Sequence, residues 1–174
     1  MKVELIDKMG TDLSVVNAAR VSYAKVKEKF EASDERLIRY LAEHNHWSPF
    51  AHTFLSFRIK APVFVARQLV KHQVGLVWNE ESRRYITYDP EIYNIRKWRE
   101  KPDSSKQGSG EQILISTELN LEVNEHLQQG LSLYNRLLLE NVAPEQARAV
   151  LPQSMYTNWT VSYTHLTLPT KRIV

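Results

Sequence analysis

Thr53-Phe54-Leu55-Ser56-Phe57-Arg58-Ile59-Lys60-Ala61-Pro62-Val63-Phe64-Val65-Ala66-Arg67-Gln68-Leu69-Val70-Lys71-His72-Gln73-Val74-Gly75 changes its hydrophobic period in the middle. From Thr53 to Lys60 the side chains alternate. Leu55, Phe57 and Ile59 lie toward one face and Phe54, Ser56 and Arg58 toward the other, the pattern of a strand partly covered on both sides. Beyond it, Val63, Phe64, Ala66, Leu69 and Val70 fall at helical spacing. Proline is tolerated in a first helical turn, where its missing N–H would be unpaired anyway, so a helix is expected from Pro62 to His72 or Gln73. Gly75 supplies the stop.

Upstream, Lys2 to Asp7 reads as a strand. Thr11 or Asp12 caps a helix reaching about Tyr23, and Ser33 or Asp34 starts another whose stripe is Leu37, Ile38 and Leu41. Pro49 breaks regular structure in His46-Trp47-Ser48-Pro49-Phe50-Ala51-His52, which leaves a loop or single turn there. Downstream, Trp78 to Arg84 reads as polar loop or turn and Tyr85 to Tyr88 as strand. Residues 101–110 are linker-like, and Ser109 with Gln112 forms an expected capping box for a long helix ending near Glu140. Pro144 opens a last helix that ends before Pro152. Strands toward both ends, helices between and after, and no βαβ repetition indicate an α+β fold: a mixed sheet with flanking helices in a single domain.

The 174 residues are 43% hydrophobic and 25% charged, an ordinary globular balance that permits a real core. No apolar run approaches the ~20 residues needed to cross a bilayer. Acids interrupt the N-terminal apolar residues at once, unlike a signal peptide, so a cytoplasmic protein without membrane partners is expected. The sequence contains no cysteine, which removes disulfides, thiolate metal sites and thiol nucleophiles from consideration. The histidines flanking Pro49 fit no standard zinc spacing, and no metal is expected.

Net charge is only +3, but Arg67, Lys71, His72, Arg83 and Arg84 lie close together in sequence. Arg67 with Lys71, and Gln68 with His72, stand four residues apart, toward the end of the expected helix. There the cations also suit the helix dipole. Asn79-Glu80-Glu81-Ser82-Arg83-Arg84-Tyr85 then concentrates donors and acceptors. Two arginines beside a serine can grip a phosphate through charge-assisted bonds, with a bidentate geometry that lysine lacks. Glu80 and Glu81, acceptors when ionised, suit ribose hydroxyls or the N–H edge of a base. They also interrupt the charge that a nucleic-acid-binding module would require, so nucleic acid is not an expected partner.

Four stretches, in order and in register, resemble flavin-dependent thymidylate synthases. Arg67-Gln68-Leu69-Val70-Lys71-His72-Gln73, with Ser82 beyond it, resembles the family's Arg-His-Arg signature, which is followed after seven or eight residues by a serine. His46 to His52 is similar to its histidine–x–Ser/Thr–Pro–Phe–x–His segment. Phe57 to Gln68 is similar to its strand-to-helix lead-in, and Ala147-Arg148-Ala149-Val150-Leu151-Pro152 to its C-terminal nucleotide-binding helix. The resemblance implies an enzyme that converts dUMP to dTMP, with FAD reduced by NADPH and methylenetetrahydrofolate as one-carbon donor. It also implies a homotetramer with active sites shared between subunits, and a chemistry that uses no cysteine nucleophile. By matched position, the uridylate contacts would be Gln68, Glu80, Ser82, Arg83, Arg84 and Arg148, with Glu81 beside them. Ser22, Ser48, Lys71, His72, Gln73, Asn79 and Glu80 would contact or border FAD.

Two departures accompany the resemblance. Lys71-His72-Gln73 stands where the family has Arg-His-Arg, so one cation is lost. In addition, residues 161–174 do not read as the family's continuation, which carries flavin-binding asparagines and an arginine that activates the uracil ring. A domain over residues 1–160 with an atypical tail over 161–174 is therefore expected. Arg172 sits near the activating arginine's distance in the wrong surroundings, no catalytic residue is assigned, and the alternative reading is an inactive nucleotide- or flavin-binding fragment of the family.

Overall fold

A computed structural model describes residues 1–103 and 108–164, the last through its backbone alone. Four strands form one sheet in the order β1-β2-β6-β3: β1 is Lys2–Met9, β2 Phe54–Pro62, β3 Leu76–Glu80 and β6 Tyr156–Thr164. β1 pairs antiparallel with β2, and β3 antiparallel with β6. A two-stranded ladder joins β4, Trp98–Arg99, to β5, Gln112–Ile113. The helices are α1, Asp12–Arg20; α2, Ala32–Glu43; α3, Val63–Leu69; α4, Thr117–Leu139; and α5, Pro144–Ala147. The α+β class follows directly, because no strand–helix–strand unit repeats among the described residues.

The chain divides into two compact units. The first comprises Met1–Ala61, Arg67–Glu80 and the residues from Asn158 onward. Thr11 and Ser14 cap α1 reciprocally, each side chain taking up the other's backbone N–H. Val15, Leu41 and Phe50 form a buried cluster, against which Ala19, Leu37 and Ile38 pack. The expected stripe of α2 therefore faces inward, although the helix starts slightly earlier than expected, with Glu31 as its cap. Short 3-10 turns occupy Val21–Tyr23 and Ser48–His52, the second with Pro49 in its first turn. In the sheet, Phe57 stacks with Tyr163, and the Ser56 and Ser162 hydroxyls share a hydrogen bond. The strand β1 is exposed throughout, and a bulge between Leu5 and Asp7, together with its charges, blunts that edge.

The second unit comprises Pro62–Ala66 and Glu81–Thr157. Its long helix α4 carries Tyr134, fully buried. Gly130 lies so close to the turn after α5 that a Cβ there would meet the Val150 carbonyl at 3.1 Å. Residues 153–156 lace this unit together. Their carbonyls accept from Val63 and Phe64 N–H, which have no partner inside α3, and from Tyr93 N–H, while Tyr156 N–H donates to Glu91.

Several sequence expectations are corrected. Pro62 ends β2 rather than opening α3, and α3 stops at Leu69. The β-branched residues Val63, Val65 and Val70 weaken it, and Gly75 at φ +70° turns the chain into β3. Trp78 to Glu80 is strand, paired with β6. Tyr85 to Tyr88 is not strand, since Tyr85 N–H closes a turn onto Ser82. The helix α4 begins after Ser116, because Gln112 is drawn into pairing with Arg99. Residues 156–164 run continuously as β6, with Val161 and Tyr163 buried opposite Trp78 and Leu76. The remainder of the expected tail, with Arg172, and residues 104–107 of the expected linker lie outside the described residues.

Candidate active site

In the first unit, the polar residues singled out by sequence sit on three kinds of support. Gln68 is on the last turn of α3, with Arg67 beside it. Lys71, His72 and Gln73 follow the helix rather than belonging to it, in a turn held by His72 N–H to Leu69 O at 3.0 Å and Leu76 N–H to Gln73 O at 3.2 Å. The expected four-residue helical pairing of Gln68 with His72 is accordingly absent. Asn79 and Glu80 end β3, opposite Thr160 and Trp159. Trp78 ties strand to turn, its indole N–H donating to His72 O at 3.2 Å while its ring packs at 6.2 Å from Trp159. Arg67, Gln68, Lys71, His72, Gln73 and Asn79 are exposed, and their side chains have no hydrogen-bond or ion-pair partner among the described residues. Ser22 and Ser48 are exposed on the two 3-10 turns.

The second unit holds Glu81, Ser82, Arg83, Arg84 and Arg148, and it treats the two adjacent arginines oppositely. Arg83 is 5% exposed; its guanidinium donates to the Tyr88 carbonyl and lies 4.8 Å from the Tyr88 ring centroid. Its NH1 is thus engaged inside its own loop, while Nε is buried without a hydrogen-bond partner among the described residues. Arg84 is exposed. Its Nε donates to Ser82 Oγ at 3.3 Å, its backbone N–H donates to the same oxygen at 3.4 Å, and its guanidinium lies over Tyr85 at 4.9 Å. Ser82 accepts both bonds, so its own hydroxyl proton is left to donate. The Tyr88 hydroxyl donates to Glu81 Oε2 at 3.4 Å. Arg148, at the end of α5, is exposed and donates from Nε to Glu145 O at 3.1 Å. In both Arg84 and Arg148 the terminal NH1 and NH2 groups have no hydrogen-bond partner among the described residues, which leaves the fork that binds phosphate bidentately.

A family profile described as thymidylate synthase complementing protein matches residues 4–169, past the boundary expected at residue 160. A flavin-dependent thymidylate synthase of Kosmotoga olearia is 42% identical over 92% of this chain and 70% of its own length. The chain belongs to the flavin-dependent thymidylate synthase family. Another family member, from Thermosipho africanus, is 40% identical over 92% of this chain and 71% of its own length. Among solved structures, the family likeness extends to a UMP/dUMP methylase, PolB of Streptomyces cacaoi bound with 5-Br dUMP. It superposes with a TM-score of 0.76 at 35% identity, covering 94% of this chain and 72% of that one.

Proposed function

We propose that this chain methylates dUMP to dTMP, with FAD as redox cofactor, NADPH as reductant and methylenetetrahydrofolate as one-carbon donor, in a cytoplasmic homotetramer. The observation that carries the reading is the Ser82–Arg84 turn: a free hydroxyl donor and a guanidinium fork without a hydrogen-bond partner at its terminal nitrogens among the described residues, in a chain 35% identical to a solved UMP/dUMP methylase. Arg84 and Arg148 hold the nucleotide phosphate and Ser82 donates to it. Glu81, in the same unit, accepts from the sugar or base. Arg83 acts one step back, fixing the loop that presents its neighbour.

The donor set of the first unit fits a flavin nucleotide. Arg67 and Lys71 supply cations for its phosphates, while His72, Gln73, Asn79, Ser22 and Ser48 supply neutral polar contacts. FAD, when bound and reduced, supplies the hydride, and the protein binds, orients and excludes water. This sequence offers no thiol for attack on the uracil ring, so orientation of dUMP carries much of the acceleration. Tritium release from dUMP labelled at ring carbon 5, dependent on methylenetetrahydrofolate and flavin, tests the reading. A pure protein that neither binds dUMP nor releases tritium overturns it.

A further inference from the structure

The segment joining α1 to α2 is held by four side chains that the ligand contacts above do not use. The Asn17 amide grips the backbone of Lys27 at both ends, accepting from Lys27 N–H at 2.8 Å and donating to Lys27 O at 3.0 Å. The Lys27 ammonium reaches Asp34 Oδ2 at 2.7 Å and Glu31 at 2.8 Å. Asp34 is fully buried; its other oxygen accepts from Arg20 at 3.0 Å, and Oδ2 also accepts from Glu31 N–H. Arg20 is the last residue of α1, and Ser22 follows two residues on. Ala24, directly after the 3-10 turn, is left-handed at φ +53°, a conformation that a residue with a Cβ keeps only where its surroundings impose it. The stretch between α1 and α2 is thus pinned on both sides of Ser22: at Arg20 before it and at Lys27 after it.

We propose that Asn17, Arg20, Lys27 and Asp34 are positioning residues that hold the Val21–Tyr23 turn in the geometry in which Ser22 meets the flavin. The inference rests on the reading of Ser22 as a flavin contact, and it adds a route by which residues remote from that contact set cofactor affinity. The clamp is electrostatically committed: hydrogen bonding from Lys27, ahead of the opposing effect of burial, holds the Asp34 carboxyl below its ordinary range, and Asp34 raises the Lys27 ammonium in return.

Titration of FAD into the full chain, followed by quenching of flavin fluorescence, tests this with Ser22→Ala, Lys27→Met, Lys27→Arg and the Ser22→Ala/Lys27→Met pair. Lys27→Met leaves Asp34 its bonds to Arg20 and Glu31 N–H, so the fold persists, as circular dichroism should show. Asn17→Asp, which keeps the acceptor for Lys27 N–H but sets a carboxylate oxygen against the Lys27 carbonyl in place of the donor, serves as a second variant that leaves the Lys27 side chain in place. Lys27→Met should weaken FAD by about tenfold, within the range of coupling between groups in one network. Lys27→Arg should restore most of the affinity. The double variant should bind no more weakly than the worse single one, since both act through the same contact. If Ser22→Ala leaves FAD binding unchanged, the underlying reading of Ser22 fails. If Ser22→Ala weakens FAD but Lys27→Met and Asn17→Asp do not, or if the paired effects simply add, the clamp is refuted while that reading stands.

Discussion

Arg83 and Arg84 are identical side chains one residue apart, and the loop separates them completely. The sequence shows two cations beside a serine; what assigns their roles is Tyr88, whose ring and carbonyl capture the first. That capture depends on the loop folding back on itself, which no local pattern announces, whereas the pairing of Arg84 with Ser82 follows from their closeness in sequence. Arg84→Ala should weaken dUMP binding by about 1.5–3 kcal/mol, the usual worth of a hydrogen bond to a charged group, and roughly 10–150-fold by calorimetry. Arg84→Lys should recover only part, since an ammonium lacks the fork. Arg83→Ala should instead show itself as a lower melting temperature, because it removes a buried hydrogen bond and a cation–π contact worth about 0.5–2 kcal/mol. Equal losses of stability for the two alanine variants would contradict this division.

At the level of elements, the sequence conveyed type better than extent. The alternation of residues 53–60 and the stripe of α2 are dictated by faces that must be buried, so both survive in the fold. The limits of α3 and α4 depend on partners distant in sequence. Val63 and Phe64 start α3 because carbonyls ninety residues away accept their N–H groups, and Gln112 is lost to α4 because Arg99 pairs with it. Ser109 and Ser116 both suit a cap, but only Ser116 accepts from a helix N–H, that of Leu119 at 3.1 Å. Ser116→Ala should cost about 1 kcal/mol of stability and Ser109→Ala almost nothing, as paired thermal melts would show. Gly130→Leu should destabilise by about 1–3 kcal/mol through overpacking, since its first carbon already meets the Val150 carbonyl and Pro152 lies 3.4 Å away.

For the whole molecule, the α+β class was legible because the order of strand and helix patterns excludes the alternatives, while the course of residues 156–164 was not. From residue 161 on, the sequence has no helical stripe and reads as atypical, and Val161 and Tyr163 find a buried face only where β3 lies beside them. Stability should fall on acidification through Asp34. Its folded pKa is depressed, chiefly by the Lys27 hydrogen bond, with Arg20 and the Glu31 N–H assisting, so its contribution is complete above the unfolded carboxylate range of ~3.9 and is lost as pH falls through the lower folded value. Asp34→Asn should therefore melt lower than the parent at neutral pH, and the gap should narrow in acid. A gap that widens on acidification would reverse the sign assigned here. The Ser56–Ser162 hydroxyl pair joins strands more than a hundred residues apart and carries a last consequence for biogenesis. During translation β2 emerges long before the strand that will lie against it, and β3 waits without its ladder partner. The nascent sheet is half-built while the second unit is being synthesised, and closure at such long range is slow. The ribosome-bound intermediate, more than the finished protein, is where chaperone capture should concentrate.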